Sequence, residues 1–321
     1  MAHMIEVIDS VASMAYVGQA PWHGLGQQVD EGVSPEEILK AAKLDWRVEK
    51  QDLIARHPSD HKLDQVIPGR KALVRTSDNK VMDIIGNDWY PVQNETAFEF
   101  FNDFINAGEM KMETAGSLYN GKKVWALAKT TEKFEIFNGD LVESYLLFCN
   151  PHQYGKSIEI RFVDTRVVCN NTLSVAMSES SKKALSLTHR CEFNSDEVKA
   201  MMDISAEKLQ SYKEIAMFLG SKKAKPEAVI EYFNNVFPIG GKNPTRERSR
   251  NSQIATEILH TQPGAEFAEG TWWQPFNAVT FMTDHIVGRS QSARLDSAWF
   301  GGNAKLKQRA LETAVKYAEA A

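Results

Sequence analysis

A chain of 321 residues, 43% hydrophobic and 25% charged, has the balance of an ordinary globular protein, with core material for one large or two modest domains and no need of a metal or disulfide to fold. Its formal charge of −5 at pH 7 excludes a global attraction to nucleic acid or anionic membrane, so any such binding has to use a local patch. The three cysteines, Cys149, Cys169 and Cys191, are odd in number and lack CxxC spacing, which points to reduced thiols and a reducing compartment.

The first 30 residues read as an irregular arm holding one dense cluster, Ala20-Pro-Trp-His-Gly-Leu-Gly26, in which Pro21, Gly24 and Gly26 break regular structure. Ser34-Pro35-Glu36-Glu37 then signals a helix start: Ser34 as cap, Pro35 in the first turn, Glu37 as the capping-box acid. The helix ends near Leu44-Asp45. From Trp46 the period becomes alternating, and strands are expected at 46–50, 71–75 and 81–85, with a turn at 77–80. Asn94 caps a helix with Phe98, Phe101, Phe104 and Ile105 on one stripe, closed by Gly108. Residues 118–128 form a hairpin about Asn120-Gly121, the pair favoured by a type I′ turn. Strands follow at 144–149 and 158–163, joined by the polar loop 150–156. Arg166-Val-Val-Cys169 then runs into Asn170–Leu173, read as a turn into a short helix.

After residue 194 the texture is helical: a capped amphipathic segment to about Leu219, then helices at 226–237, 245–260, 272–286 and 303–320. The fold class is therefore α+β, with an antiparallel sheet and packed helices in residues 1–194 and a mainly helical region in 195–321. No run approaches the roughly 18 apolar residues of a membrane-spanning helix. The start of the chain also lacks the basic-then-apolar order of a secretory signal. A cytoplasmic protein of a bacterial host cell, making no use of membrane, is expected.

Phosphate loops, nucleophile elbows, HExxH and dinucleotide fingerprints are absent. His23 between Trp22 and Gly24 is either an acid/base or metal ligand, or part of an aromatic plug. Cys169 is either a nucleophile with His152 or His189 as base, or a small hydrophobe closing a strand. The bland reading is preferred in both cases, so no catalytic residue, metal ligand or cofactor is assigned and an enzyme is not expected. Basic residues say more. Lys156, Arg161, Arg166 and Arg190 gather around the central hairpin, with Arg161 and Arg166 bracketing Phe162 and an expected turn at Asp164-Thr165; Tyr154 and Phe162 supply rings. Phosphates give affinity and bases stack on aromatics, so this is the composition a single-strand site needs. Arg246, Arg248 and Arg250 form a second group at a helix start. A solvated charged face or an oligomer interface explains the same residues.

The segments Ala20–Gly26, Arg166-Val-Val-Cys-Asn-Asn-Thr-Leu173, Gly270-Thr-Trp-Trp with Phe276-Asn-Ala-Val-Thr280, and Ser297-Ala-Trp-Phe-Gly301 together resemble an uncharacterised family, a domain of unknown function described as phage- and plasmid-related. The resemblance implies a mobile-element origin and transfers no catalytic residue. The order of a helix ending near Trp46, three strands to Ile85, Gly86 and then the Asn94 helix is similar, in topology, to ring-forming single-strand annealing recombinases, in which a hairpin sheet backed by a helix binds DNA in a basic groove. The acidic net charge departs from that group. The expected function is binding or annealing of single-stranded DNA in recombination or replication of a phage or plasmid, with a possible homo-oligomer. The alternative is a protein acting on host factors without nucleic-acid affinity.

Overall fold

Ser34 accepts a hydrogen bond from the Glu37 amide (3.2 Å) while Glu37 Oε2 takes the Ser34 amide (2.9 Å), so both ends of the expected capping box are closed. The helix α1 (Pro35–Ala41) begins there and buries Ile38 and Leu39. Replacing Ser34 by alanine should cost about 1 kcal/mol, read as a lower urea midpoint with an unchanged slope. The computed structural model describes residues 5–18, 21, 24–135, 137, 139–166, 171–174, 185–190, 193–194, 213–240, 247–288, 294, 297–298 and 301–321.

The chain forms two compact units, neither a single stretch: residues 1–131, 146–161 and 183–200 make the first, and 132–145, 162–182 and 201–321 the second. Both sheets and helices are present, with antiparallel pairing dominant in the N-terminal part and helices in the C-terminal part, an α+β fold.

In the first unit, β5 (Val48–Ala55), β6 (Gln65–Arg75) and β7 (Lys80–Gly86) form an antiparallel sheet in that order. Strand β7 pairs only with Arg70–Arg75, so the outer part of β5 and β6 is a two-stranded ribbon carrying exposed Ile54, Val66 and Ile67. A second sheet runs through β4 (Gln27–Val29), β3 (Met14–Val17), β8 (Met110–Leu118), β9 (Lys123–Glu135), β10 (Leu141–Pro151) and β11 (Ile158–Arg166); β3 and β4 are parallel, and β13 (Leu185–Leu187) pairs antiparallel with β11. Short strands β1 (Val7–Ile8) and β2 (Val11–Ala12) make a separate ladder.

The Asn94 helix is two pieces, α2 (Asn94–Glu99) and α3 (Asn102–Asn106), parted where Phe100 and Phe101 turn into an aromatic cluster with Phe148. Fully burying each such ring contributes roughly 1.5–3 kcal/mol, enough to override helical continuity. Asn94 is not the cap: Gln93 is, and the buried Asn94 amide instead donates to the carbonyls of Leu44 (3.0 Å) and Trp46 (3.4 Å). The hairpin at Asn120-Gly121 is present, but its loop is four residues long, with Tyr119, Asn120 and Gly121 all at positive φ. A Cβ on Gly121 would lie 2.6 Å from the Arg75 guanidinium, so the position needs glycine for space as well as for φ.

In the second unit, residues 213–221 are helical (α4), followed by α5 (Pro226–Val236), α6 (Arg250–Glu257), α7 (Trp273–His285) and α8 (Gly302–Glu319). Trp272, Trp273, Phe276 and Val279 are buried in one cluster with Tyr232, Phe233, Ala310 and Ala314. Helix α7 is buried nearly all round, which explains why it has polar Thr280 and Thr283 folded back on its own carbonyls. Asp284 pairs with the buried Lys307 at 2.8 Å.

Two local expectations are corrected. Asn171–Ser174 is a strand, β12, not a turn into a helix; Leu173 pairs with Asp164 and Thr172 with Thr165. Consequently Asp164-Thr165 is not a turn but part of the uninterrupted β11. Local composition read as a turn because Asn and Thr hydrogen-bond their own backbone, whereas a ladder to β11 satisfies the same groups.

Candidate nucleic-acid interface

The C-terminal end of β7 collects several exposed rings and cations of the first unit. After β10, the segment Gln153–Lys156 closes a turn, with Lys156 N donating to Gln153 O (3.3 Å) and Gly155 at φ +75°. This turn rests on β7. The Tyr154 amide donates to Asp83 Oδ2 (3.0 Å), and its ring lies 3.7 Å from where a Cβ on Gly86 would be. Tyr154 is 51% exposed, and the Arg70 guanidinium stands over its ring at 5.4 Å. Lys156 is exposed.

On the other side of Gly86 the chain continues through Trp89 to Tyr90, which is 43% exposed and carries Lys50 Nζ over its ring at 5.1 Å. Lys50 also donates to the Asn87 carbonyl (2.8 Å). The Tyr90 amide donates to the His189 carbonyl (2.7 Å), which places the exposed Arg190 next along that strand of chain. His189 stacks on Trp89 with centroids 4.1 Å apart and bonds the Tyr90 carbonyl through Nδ1 (2.9 Å). Burial lowers the His189 pKa, partly offset by the carbonyls of Tyr90 and Pro151, so the ring is a neutral prop beneath Tyr90 at neutral pH. Two tyrosines, each topped by a cation, thus flank Gly86 with Lys156 and Arg190 on the supporting loops.

Of the residues expected from sequence, Tyr154, Lys156 and Arg190 fall in this region. Arg161 is half-buried on β11 in the first unit, whereas the backbone of Phe162 and Arg166 lies in the second unit, their side chains outside the described residues. Positions 161 and 166 lie on one strand without the turn that was to present them together. Arg246 lies outside the described residues, as do Trp22, His23 and Cys169. Arg248 is used internally: it donates to Asn234 Oδ1 (3.2 Å), the Ser252 carbonyl (3.0 Å) and Thr256 Oγ1 (2.6 Å), tying α5 to α6. Arg250 is exposed at the start of α6.

Sequence reading missed Arg70, Lys50 and Tyr90. Arg70 sits opposite Gly86 in the β6–β7 register, and a glycine facing an arginine across a hairpin is the one local sign that a ring from elsewhere can lie there. Among the described residues no group of three or more His, Cys, Asp or Glu is placed to hold a metal ion, and no helix is long and apolar enough to cross a membrane.

A family model described as "Domain of unknown function (DUF932)" matches residues 81–299, more than half of the chain. The chain belongs to the DUF932 family. The DUF932 match takes in Tyr90, Tyr154, Lys156 and Arg190, while Lys50 and Arg70 precede it. No curated protein and no solved structure matches the chain.

Proposed function

We propose that this DUF932 protein binds single-stranded DNA and assists recombination or replication of a phage or plasmid without hydrolysing a nucleotide. The observation that carries the reading is the pair of half-exposed tyrosines, Tyr154 under Arg70 and Tyr90 under Lys50, set around Gly86 with Lys156 and Arg190 alongside. Bases of any sequence stack on such rings and the cations meet phosphates, which reconciles local binding with an anionic chain.

The test is fluorescence anisotropy with a labelled oligothymidylate at two salt concentrations. Tyr154→Ala should weaken binding by about 1–3 kcal/mol, roughly 5- to 150-fold in Kd. Arg70→Ala should weaken it and flatten the salt dependence by about one counterion. Wild-type affinity in both variants, or no retention of the oligonucleotide at low salt, removes the proposal.

A second reading has an observation of its own. The β5–β6 ribbon exposes Ile54, Leu63, Val66 and Ile67, and exposed apolar groups clustered in this way mark protein-binding surfaces. A host-directed interaction protein would show no oligonucleotide binding and would lose its partner on Ile54→Lys with Val66→Lys.

A further inference from the structure

Apart from the surface around Gly86, the first unit holds a buried polar cluster of Trp46, Asn94, Asn150 and His152 whose hydrogen-bond roles can be assigned one by one. The Asn94 amide nitrogen donates to the Leu44 and Trp46 carbonyls, so its Oδ1 is the atom facing His152 Nε2 at 2.9 Å. An amide oxygen only accepts; His152 therefore carries its proton on Nε2, and Nδ1 is a bare acceptor. The Asn150 amide nitrogen donates to the Val92 carbonyl (2.8 Å), which leaves Asn150 Oδ1 a bare acceptor too. The Trp46 indole, its ring centre 5.1 Å from that of His152, has Nε1–H as a donor.

His152 Nδ1, Asn150 Oδ1 and Trp46 Nε1 are all shut off from solvent and have no hydrogen-bond partner among the described residues. Each such group, left alone, forfeits its hydration without replacement. Two acceptors and one donor are the complement of a single water molecule, which has two O–H groups to give and a lone pair to receive. Three protein partners are also the usual number for a buried water.

We propose that one structural water is held between His152 Nδ1, Asn150 Oδ1 and Trp46 Nε1, joining the segment before β5 to the end of β10. A divalent cation is the competing occupant, since His152 Nδ1 is an unprotonated imidazole nitrogen. The cluster offers a cation no carboxylate or thiolate, and the Arg75 guanidinium stands 5.1 Å from the Trp46 ring, so an added positive charge would be buried beside another. A neutral molecule that both donates and accepts fits where an ion does not.

A crystal structure of the full chain that resolves solvent, with anomalous data at the zinc edge, tests this. The expected result is one isolated peak about 2.7–3.2 Å from all three atoms, without anomalous signal. In solution, the Trp46 indole proton should give a cross-relaxation peak to water in the wild-type protein, assigned by its loss in Trp46→Phe. No peak in the map, an anomalous scatterer in it, or an indole proton silent towards water would overturn the proposal.

Discussion

Arg75→Met is expected to cost about 3–5 kcal/mol of stability, because it leaves a buried carboxylate without its partner. Arg75 is 2% exposed and Glu6 3%, and they meet at 2.8 Å. The guanidinium also grips Asp78 at 2.6 Å and lies against Trp46, while Ser117 Oγ donates to the second Glu6 oxygen (2.7 Å). Asp78 is partly exposed and can return to water; Glu6 cannot. The contrast is Lys40→Ala, which breaks the exposed Glu36 pair and should leave the urea midpoint nearly unchanged. Urea unfolding followed by tryptophan fluorescence measures both. Equal losses in the two variants would show that burial of the Arg75 pair has no energetic consequence.

The second large effect is a loss of stability in acid traceable to His152. Burial, reinforced by His189 and Arg75, pushes its pKa from 6.5 down to about 3. The unfolded chain then takes up a proton before the folded one does. The stability linked to this ring is complete above pH 6.5, declines as the pH falls below that value, and is exhausted once it has passed through about 3. At pH 5 the loss is about 2 kcal/mol. Glutamine at position 152 can still donate to Asn94 but does not titrate, so His152→Gln should flatten the fall in urea midpoint between pH 7 and pH 5. A fall as steep as in the wild type would assign the acid sensitivity to other groups.

Much of the fold was legible where the controlling interactions are local. Ser34, Pro35 and Glu37 determine the start of α1 within three residues of chain, and the helices at 226–236, 273–285 and 302–319 start and stop within one or two residues of expectation. The three-stranded sheet followed from simple alternation. What could not be read depends on partners far along the chain. Asn94 looks like a cap, but its amide is taken by Leu44 and Trp46, about fifty positions earlier. Asn171–Ser174 looks like a turn until β11 supplies a ladder. The surface around Gly86 divides in the same way: Tyr154, Lys156 and Arg190 stand out in the sequence as an aromatic and cations in a polar neighbourhood. Arg70 and Lys50 were not, because only the packing of the turn after β10 and of Tyr90 brings a ring beneath each of them.

The course of the chain has a consequence for how the protein can be made. Strands β9, β10 and β11 each begin in one unit and end in the other, so the polypeptide crosses over three times before residue 167. A fragment ending at residue 194, where composition changes, carries residues 132–145 and 162–182 without the helices that complete their unit. Val142, wholly enclosed in the intact protein, would be left bare, and such a fragment should sediment with the insoluble fraction on expression. Neither half can be inherited, exchanged or synthesised as an independent cassette: the first has all of its parts only once residue 200 has left the ribosome, by which time two segments of the second are already waiting for the helices that follow.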